Sequence, residues 1–215
     1  MALRDHLGWY KHGKLPHFDC AGLYQSITCR LDDSLPEQAM ATIEAEFRTR
    51  RIDKTALEIA RRKRIEALLD AGHGSCILGQ PHNAGLVMDA WRQFDGERYD
   101  LIIGVVMPNH MHVLVRVHQG TPLGTMVKTW KTFTSRRFAV DESVGYRPAW
   151  QRGYWDRYIR NEAHYADAVR YILFNPVKAG LVTVPAEWPY LVLGRGVDLE
   201  IDPPAAPAAP REPED

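Results

Sequence analysis

The chain has no apolar run approaching the roughly 20 residues needed to cross a bilayer. Its opening residues, Met-Ala-Leu-Arg-Asp-His, form no signal-peptide core, so a cytoplasmic location is the expectation. Cysteine is scarce as well. Cys20, Cys29 and Cys76 stand singly with no Cys-x-x-Cys spacing, which argues against a disulfide framework or a structural zinc site and predicts reduced thiols. There is no internal repeat. Net charge is absent too, with 27 basic residues against 27 acidic ones, but the balance conceals a skew. Asp198 to Asp215 hold six acids and one base, which leaves the preceding body at +5 and permits nucleic acid as a partner.

What is present, over 215 residues of which 45% are hydrophobic and 25% charged, is the composition of one ordinary globular domain. Residues 1–20 read as an arm or irregular lead-in, and residues 196–215, rich in Pro, Ala and acids, as a disordered tail. Between them lies a single domain, residues 21–195. Leu23 to Leu31 predicts a strand. Capping boxes at Ser34-Leu35-Pro36-Glu37 and Thr55-Ala56-Leu57-Glu58 predict two helices, the first to about Arg51 and the second stopped by Gly72. Their many arginines read as a solvated face. Cys76 to Leu78 suggests a small strand, and Pro81 to Phe94 has the apolar rhythm of a helix. Tyr99 to Met107 and His112 to Val117 flank Pro108-Asn109 as an antiparallel hairpin. A helix over Leu123 to Val140 follows, then a partly extended stretch from Tyr146 to Ile159. A last helix is capped by Asn161 and runs through Pro176 to about Gly180. This order predicts an α+β fold of ferredoxin-like topology, with a central antiparallel sheet, helices on its faces and extra N-terminal helices inserted after the first strand.

The hairpin carries His110 and His112 within Met-Pro-Asn-His-Met-His-Val-Leu-Val. In a strand, residues two apart point to the same face, so both imidazoles can be offered to one divalent metal. The same spacing also suits a structural or exposed pair. On the last helix, Tyr165, Val169, Ile172, Leu173 and Pro176 form one apolar stripe. Tyr171 lies off that stripe, on a polar line with His164, Asn175 and Lys178. A tyrosine hydroxyl is a weak nucleophile at neutral pH, and a metal that polarises a phosphate would help it. Asn175, one turn away, could lend an amide oxygen as a third ligand. Tyr171 as a half-buried packing residue is the alternative.

Together these segments resemble the single-tyrosine HUH transposases, named for a His–bulky apolar–His signature that His110-Met111-His112 matches. The likeness extends to Leu15-Pro16-His17-Phe18-Asp19, Trp130-Lys131-Thr132-Phe133-Thr134 and Trp150-Gln151. It continues in Tyr154-Trp155-Asp156-Arg157-Tyr158-Ile159-Arg160 and Tyr171-Ile172-Leu173-Phe174-Asn175-Pro176-Val177-Lys178-Ala179-Gly180-Leu181-Val182. This ordered set, over roughly residues 14 to 190, resembles the REP-associated tyrosine transposases. The resemblance implies His110, His112 and Asn175 as ligands of Mg²⁺ or Mn²⁺, and Tyr171 as the nucleophile. It implies cleavage of single-stranded DNA at hairpins of repeated extragenic palindromes, through a 5′-phosphotyrosine with release of a 3′-OH.

Candidate DNA contacts are Lys128, Lys131, Arg136 and Arg137 on the helix after the hairpin, then Arg152, Arg157 and Arg160 among aromatics, and Lys178. Interleaved cations and rings suit single-stranded nucleic acid, although the rings could equally fill a core. Lys11, His12, Lys14 and His17 could add an arm that reads flanking bases. Neither a membrane nor a small-molecule substrate is expected, and both monomer and homodimer stay open. Two other readings remain. One is a domesticated hairpin-binding protein that does not cut. The other is a hydrolase that activates water at the histidine pair, for which no further carboxylate or histidine ligand is visible near Met107 to Val117.

Overall fold

The computed structural model describes residues 6–12, 15–48, 53–138 and 150–194. Its centre is a five-stranded antiparallel sheet. The strands are β3 (Tyr24–Arg30), β4 (Tyr99–Val106), β5 (His110–Val117), β6 (Trp155–Tyr158) and β7 (Leu191–Leu193), in spatial order β6-β3-β5-β4-β7. Without β7 this is the ferredoxin-like strand order expected from the sequence. β4 and β5 are nearly continuous apolar runs because both of their faces are covered. Helices α3 (Pro81–Arg92) and α4 (Leu123–Ser135) cover one face, packing Trp91, Val127 and Trp130 with Val113 and Val115. Helix α5 (Glu162–Lys178) covers the other, packing Val169, Ile172 and Leu173 on Leu114, Ile103 and Val105. Alternation along β5 therefore sends His110, His112 and Leu114 toward α5, and Met111, Val113 and Val115 toward α3 and α4.

Several local expectations are corrected. The stretch read as an irregular lead-in contains an antiparallel hairpin, β1 (Gly8–His12) with β2 (Leu15–Asp19). Its anchors are buried. His17 Nδ1 bonds the Asp156 carboxylate on β6, and Asp19 takes His6 Nδ1 at 2.7 Å and the Leu123 N–H at 3.2 Å. Cys76 to Leu78 is not a strand; Ile77–Gly79 is a single 3₁₀ turn. The first capping box also fails in detail. Ser34 Oγ donates to the Leu31 carbonyl, and α1 begins only at Glu37 (Glu37–Arg48). Helix α2 (Lys54–Asp70) follows Asp53, whose carboxylate accepts the Ala56 N–H at 3.2 Å. The cap of α5 is as expected, with Asn161 Oδ1 accepting the His164 N–H at 2.9 Å. Among the described residues no helix is long and apolar enough to cross a membrane. The tail at 196–215 and the segment 139–149, which holds the ends of two expected elements, lie outside the described residues.

Candidate nuclease site

His110 and His112 stand side by side under α5, their rings 4.8 Å apart and nearly perpendicular. Both are buried, at 1% and 3% exposure. Each uses its Nδ1 on the protein. His112 Nδ1 lies 2.8 Å from Thr28 Oγ1, because β3 pairs Thr28 directly opposite His112. His110 Nδ1 lies 2.7 Å from Asn109 Oδ1. The orientation of that amide is fixed by its other end, since Asn109 Nδ2 donates to the His73 carbonyl at 2.9 Å. The oxygen facing His110 can only accept, so His110 carries its proton on Nδ1 and leaves Nε2 as a bare lone pair. Burial, then His112 and Lys178, hold His110 well below the usual imidazole pKa. Burial, then Lys178, brings His112 down to about 3. Both rings are thus neutral at neutral pH, the form that binds a metal.

Helix α5 brings Tyr171 over this pair, its ring 5.1 Å from that of His112. One turn on, Asn175 is fully buried. The Nε2 atoms of both histidines, the Tyr171 hydroxyl and both amide atoms of Asn175 are all buried without a protein hydrogen-bond partner. A buried polar atom left unsatisfied costs about 1–3 kcal/mol, so such a cluster in one place fits a site shaped for a ligand. Two imidazole nitrogens and one amide oxygen are a donor set that can hold a small divalent ion with positions left for a phosphate. Among the described residues no group of three or more His, Cys, Asp or Glu could form a metal site. Any ion here would depend on the Asn175 amide.

The tyrosine's proton is held tightly. Burial raises its pKa most, Glu66 and Asp70 of α2 raise it further, and the nearby Asn175 amide and Arg62 pull the other way. Lys178 lies 5.6 Å from the Tyr171 ring centre and bonds Asp70 at 2.8 Å, tying α2 to α5. Tyr165 instead packs on Tyr24, with ring centres 5.1 Å apart, in the apolar layer under α5.

The proposed DNA contacts divide between the two faces. Lys178 is at the site, and Arg157 projects from β6 on the same face of the sheet, opposite Ser26. Burial and the neighbouring Arg62 and Arg160 lower the pKa of Arg157. Arg160 sits 5.3 Å from the Tyr158 ring, and Arg152 is exposed in the turn before β6. Lys128, Lys131, Arg136 and Arg137 are carried by α4, on the far face. Lys131 is further committed: its Nζ donates to the Gln151 and Gly153 carbonyls at 2.5 and 2.7 Å, holding the turn that leads into β6. Arg137 folds back on Phe133, 4.0 Å from its ring centre.

Thr28, Asn109, Glu66 and Asp70 were not singled out in the sequence. Asn109 adjoins the histidine motif and could have been suspected. The other three come from β3 and α2, far away in the chain, where only tertiary packing brings them in.

Residues 91–173 match the family model described as "Transposase IS200 like". The chain is 30% identical over 99 residues to the REP-associated tyrosine transposase of Escherichia coli, covering 46% of this chain and 57% of that one. It is 29% identical over 114 residues to a Haemophilus influenzae protein assigned to the same kind, covering 49% and 65%. It therefore spans less than two thirds of either relative. A solved structure of a REP-associated tyrosine transposase bound to a REP hairpin aligns with TM-score 0.49 at 18% identity, over 84% of this chain and 82% of that one. The resemblance read from the sequence recurs in these matches: the chain is similar to the REP-associated tyrosine transposases, and the stretch that matches the IS200-like family model carries His110, His112 and Tyr171.

Proposed function

We propose that this chain is a metal-dependent single-stranded DNA endonuclease and strand transferase that acts at hairpins of repeated extragenic palindromes, with Tyr171 as the nucleophile. The observation that carries the reading is the convergence of the free nitrogens of His110 and His112, the Asn175 amide and the Tyr171 hydroxyl, all buried without a partner. The hairpin substrate rests on the resemblance and on the names of the curated relatives. The catalytic unit in this reading is residues 21–195, with the β1–β2 hairpin anchored to it through His17 and Asp19.

His110, His112 and Asn175 would hold Mg²⁺ or Mn²⁺, which supplies positive charge to a bound phosphodiester. Thr28 and Asn109 keep the imidazoles in place. The Tyr171 oxygen attacks phosphorus, a phosphorus–tyrosine bond forms and the bond to the 3′ oxygen breaks. The phenol gives up a proton and the departing 3′ oxygen gains one, so the step is balanced. One phosphodiester replaces another, so no external energy source is needed, and return attack by the 3′-OH rejoins strands. The Asn175 amide and Arg62 favour negative charge on the Tyr171 oxygen, and burial excludes competing water.

The test is a cleavage assay on labelled single-stranded hairpins with Mg²⁺ or Mn²⁺. A denaturation-resistant protein–DNA adduct, lost with a chelator and in Tyr171→Phe, supports the reading. Tight binding without an adduct under either metal would overturn it in favour of a binding protein that does not cut.

A further inference from the structure

Trp155 is a large apolar side chain left uncovered on the face of the site. It is 41% exposed, on the edge strand β6. The register places it opposite Thr28, and Thr28 opposite His112, so the three residues form one lateral row across the sheet. Residues paired directly across antiparallel strands share a face, and the Thr28–His112 hydrogen bond fixes which face this is. Trp155 therefore projects on the side of the nuclease site, two strand spacings, roughly 9–10 Å of backbone, from His112. The next residue on that face, Arg157, is exposed and stands near Arg62 and Arg160. Asp156 between them points to the other face, into its bond with His17.

We infer that Trp155 is a stacking platform for an unpaired base of single-stranded DNA adjoining the scissile phosphate, with Arg157 taking the phosphate next to that base. This rests on the proposed function and names where the strand runs: along the row from His112 across Thr28 to the sheet edge. The charge is complementary, since Arg157, Arg62 and Arg160 gather here around a neighbouring acid, Glu66, which pairs with Arg62 at 3.4 Å. A tryptophan face suits a base of any sequence, and an arginine beside it suits the backbone.

Binding is measured by fluorescence anisotropy in a Tyr171→Phe background, which removes cutting. Two labelled probes are used: a DNA hairpin with a single-stranded flank of about ten nucleotides, and the same hairpin without it. Trp155→Ala should weaken binding of the flanked probe by about five- to 150-fold, the range for loss of one stacked base, and leave the flush hairpin unchanged. Trp155→Phe should retain most of the affinity. One abasic position in the flank should cost a similar factor in the parent and nothing further in Trp155→Ala. Undiminished affinity for the flanked probe would overturn the inference. So would an equal loss on both probes, and so would a change confined to oligomeric state, which would make Trp155 a contact between copies. None of these outcomes bears on whether Tyr171 forms an adduct, so the two proposals fail separately.

Discussion

Replacing Asn109 with alanine removes a side chain that touches neither the tyrosine nor the phosphate, yet it should raise the metal requirement. Asn109 is buried between two partners, accepting from His110 Nδ1 at 2.7 Å and donating to the His73 carbonyl at 2.9 Å. Without its oxygen nothing holds the His110 proton on Nδ1, and the tautomer that protonates Nε2 removes the lone pair meant for the ion. Loss of such an outer partner typically weakens a metal by about 10–100-fold, or about 1.4–2.7 kcal/mol. The freed His73 carbonyl should also lower folding stability by about 1–3 kcal/mol. Adduct yield is titrated against Mn²⁺ at saturating DNA, alongside a thermal melt. The midpoint should move up by one to two decades, with most of the rate recovered at high metal. An unmoved midpoint with a lowered melting temperature would refute the tautomer argument and leave Asn109 a brace for the loop.

The buried histidines also predict a pH dependence of stability when metal is chelated. They are depressed in the folded state, His112 to about 3, while the unfolded chain takes up protons near the ordinary imidazole value of about 6.5. Their contribution is therefore complete above that value and falls as pH drops below it, by about 1.4 kcal/mol per pH unit for each group. Urea melts at pH 7.5, 6.5 and 5.5 should show the slope, and His112→Gln should flatten it by one group's share; parallel curves would contradict it. Lys131→Ala should lower stability by about 1–3 kcal/mol through two stranded carbonyls, whereas exposed Lys128→Ala should stay within about 0.5 kcal/mol, as thermal melts can check. Gly104→Ala should cost about 1–3 kcal/mol in a denaturant melt, because the added methyl would meet the Trp91 ring at 2.6 Å.

The parts legible in the sequence were those written in local pattern. The apolar runs around Pro108-Asn109 gave the hairpin, Asn161 gave the cap of α5, and the strand and helix order gave a ferredoxin-like sheet. Two histidines at i and i+2 had to share a face once β5 was a strand, and Tyr171 and Asn175 had to be neighbours once α5 was a helix. Cross-chain relations were not legible. A capping-box pattern cannot say whether Ser34 will bond the loop behind it instead of the helix ahead. Amphipathic rhythm also does not say which side of a sheet a helix will cover, so the placement of the basic run of α4 on the face away from His110 and His112 was not legible. The arginines of α2 read as a solvated face, and nothing in that pattern shows that Glu66 and Asp70 stand by the tyrosine, where Asp70 pairs with Lys178.

Identifying the residue joined to DNA is the most direct test of Tyr171 as the nucleophile. The protein–DNA adduct formed with Mn²⁺ is digested with protease and nuclease, and the nucleotide-bearing peptide is sequenced by mass spectrometry. A phosphodiester-linked nucleotide on Tyr171, through its 5′ phosphate, is the expected result. Modification of Tyr165, or of any residue other than Tyr171, would contradict the assignment.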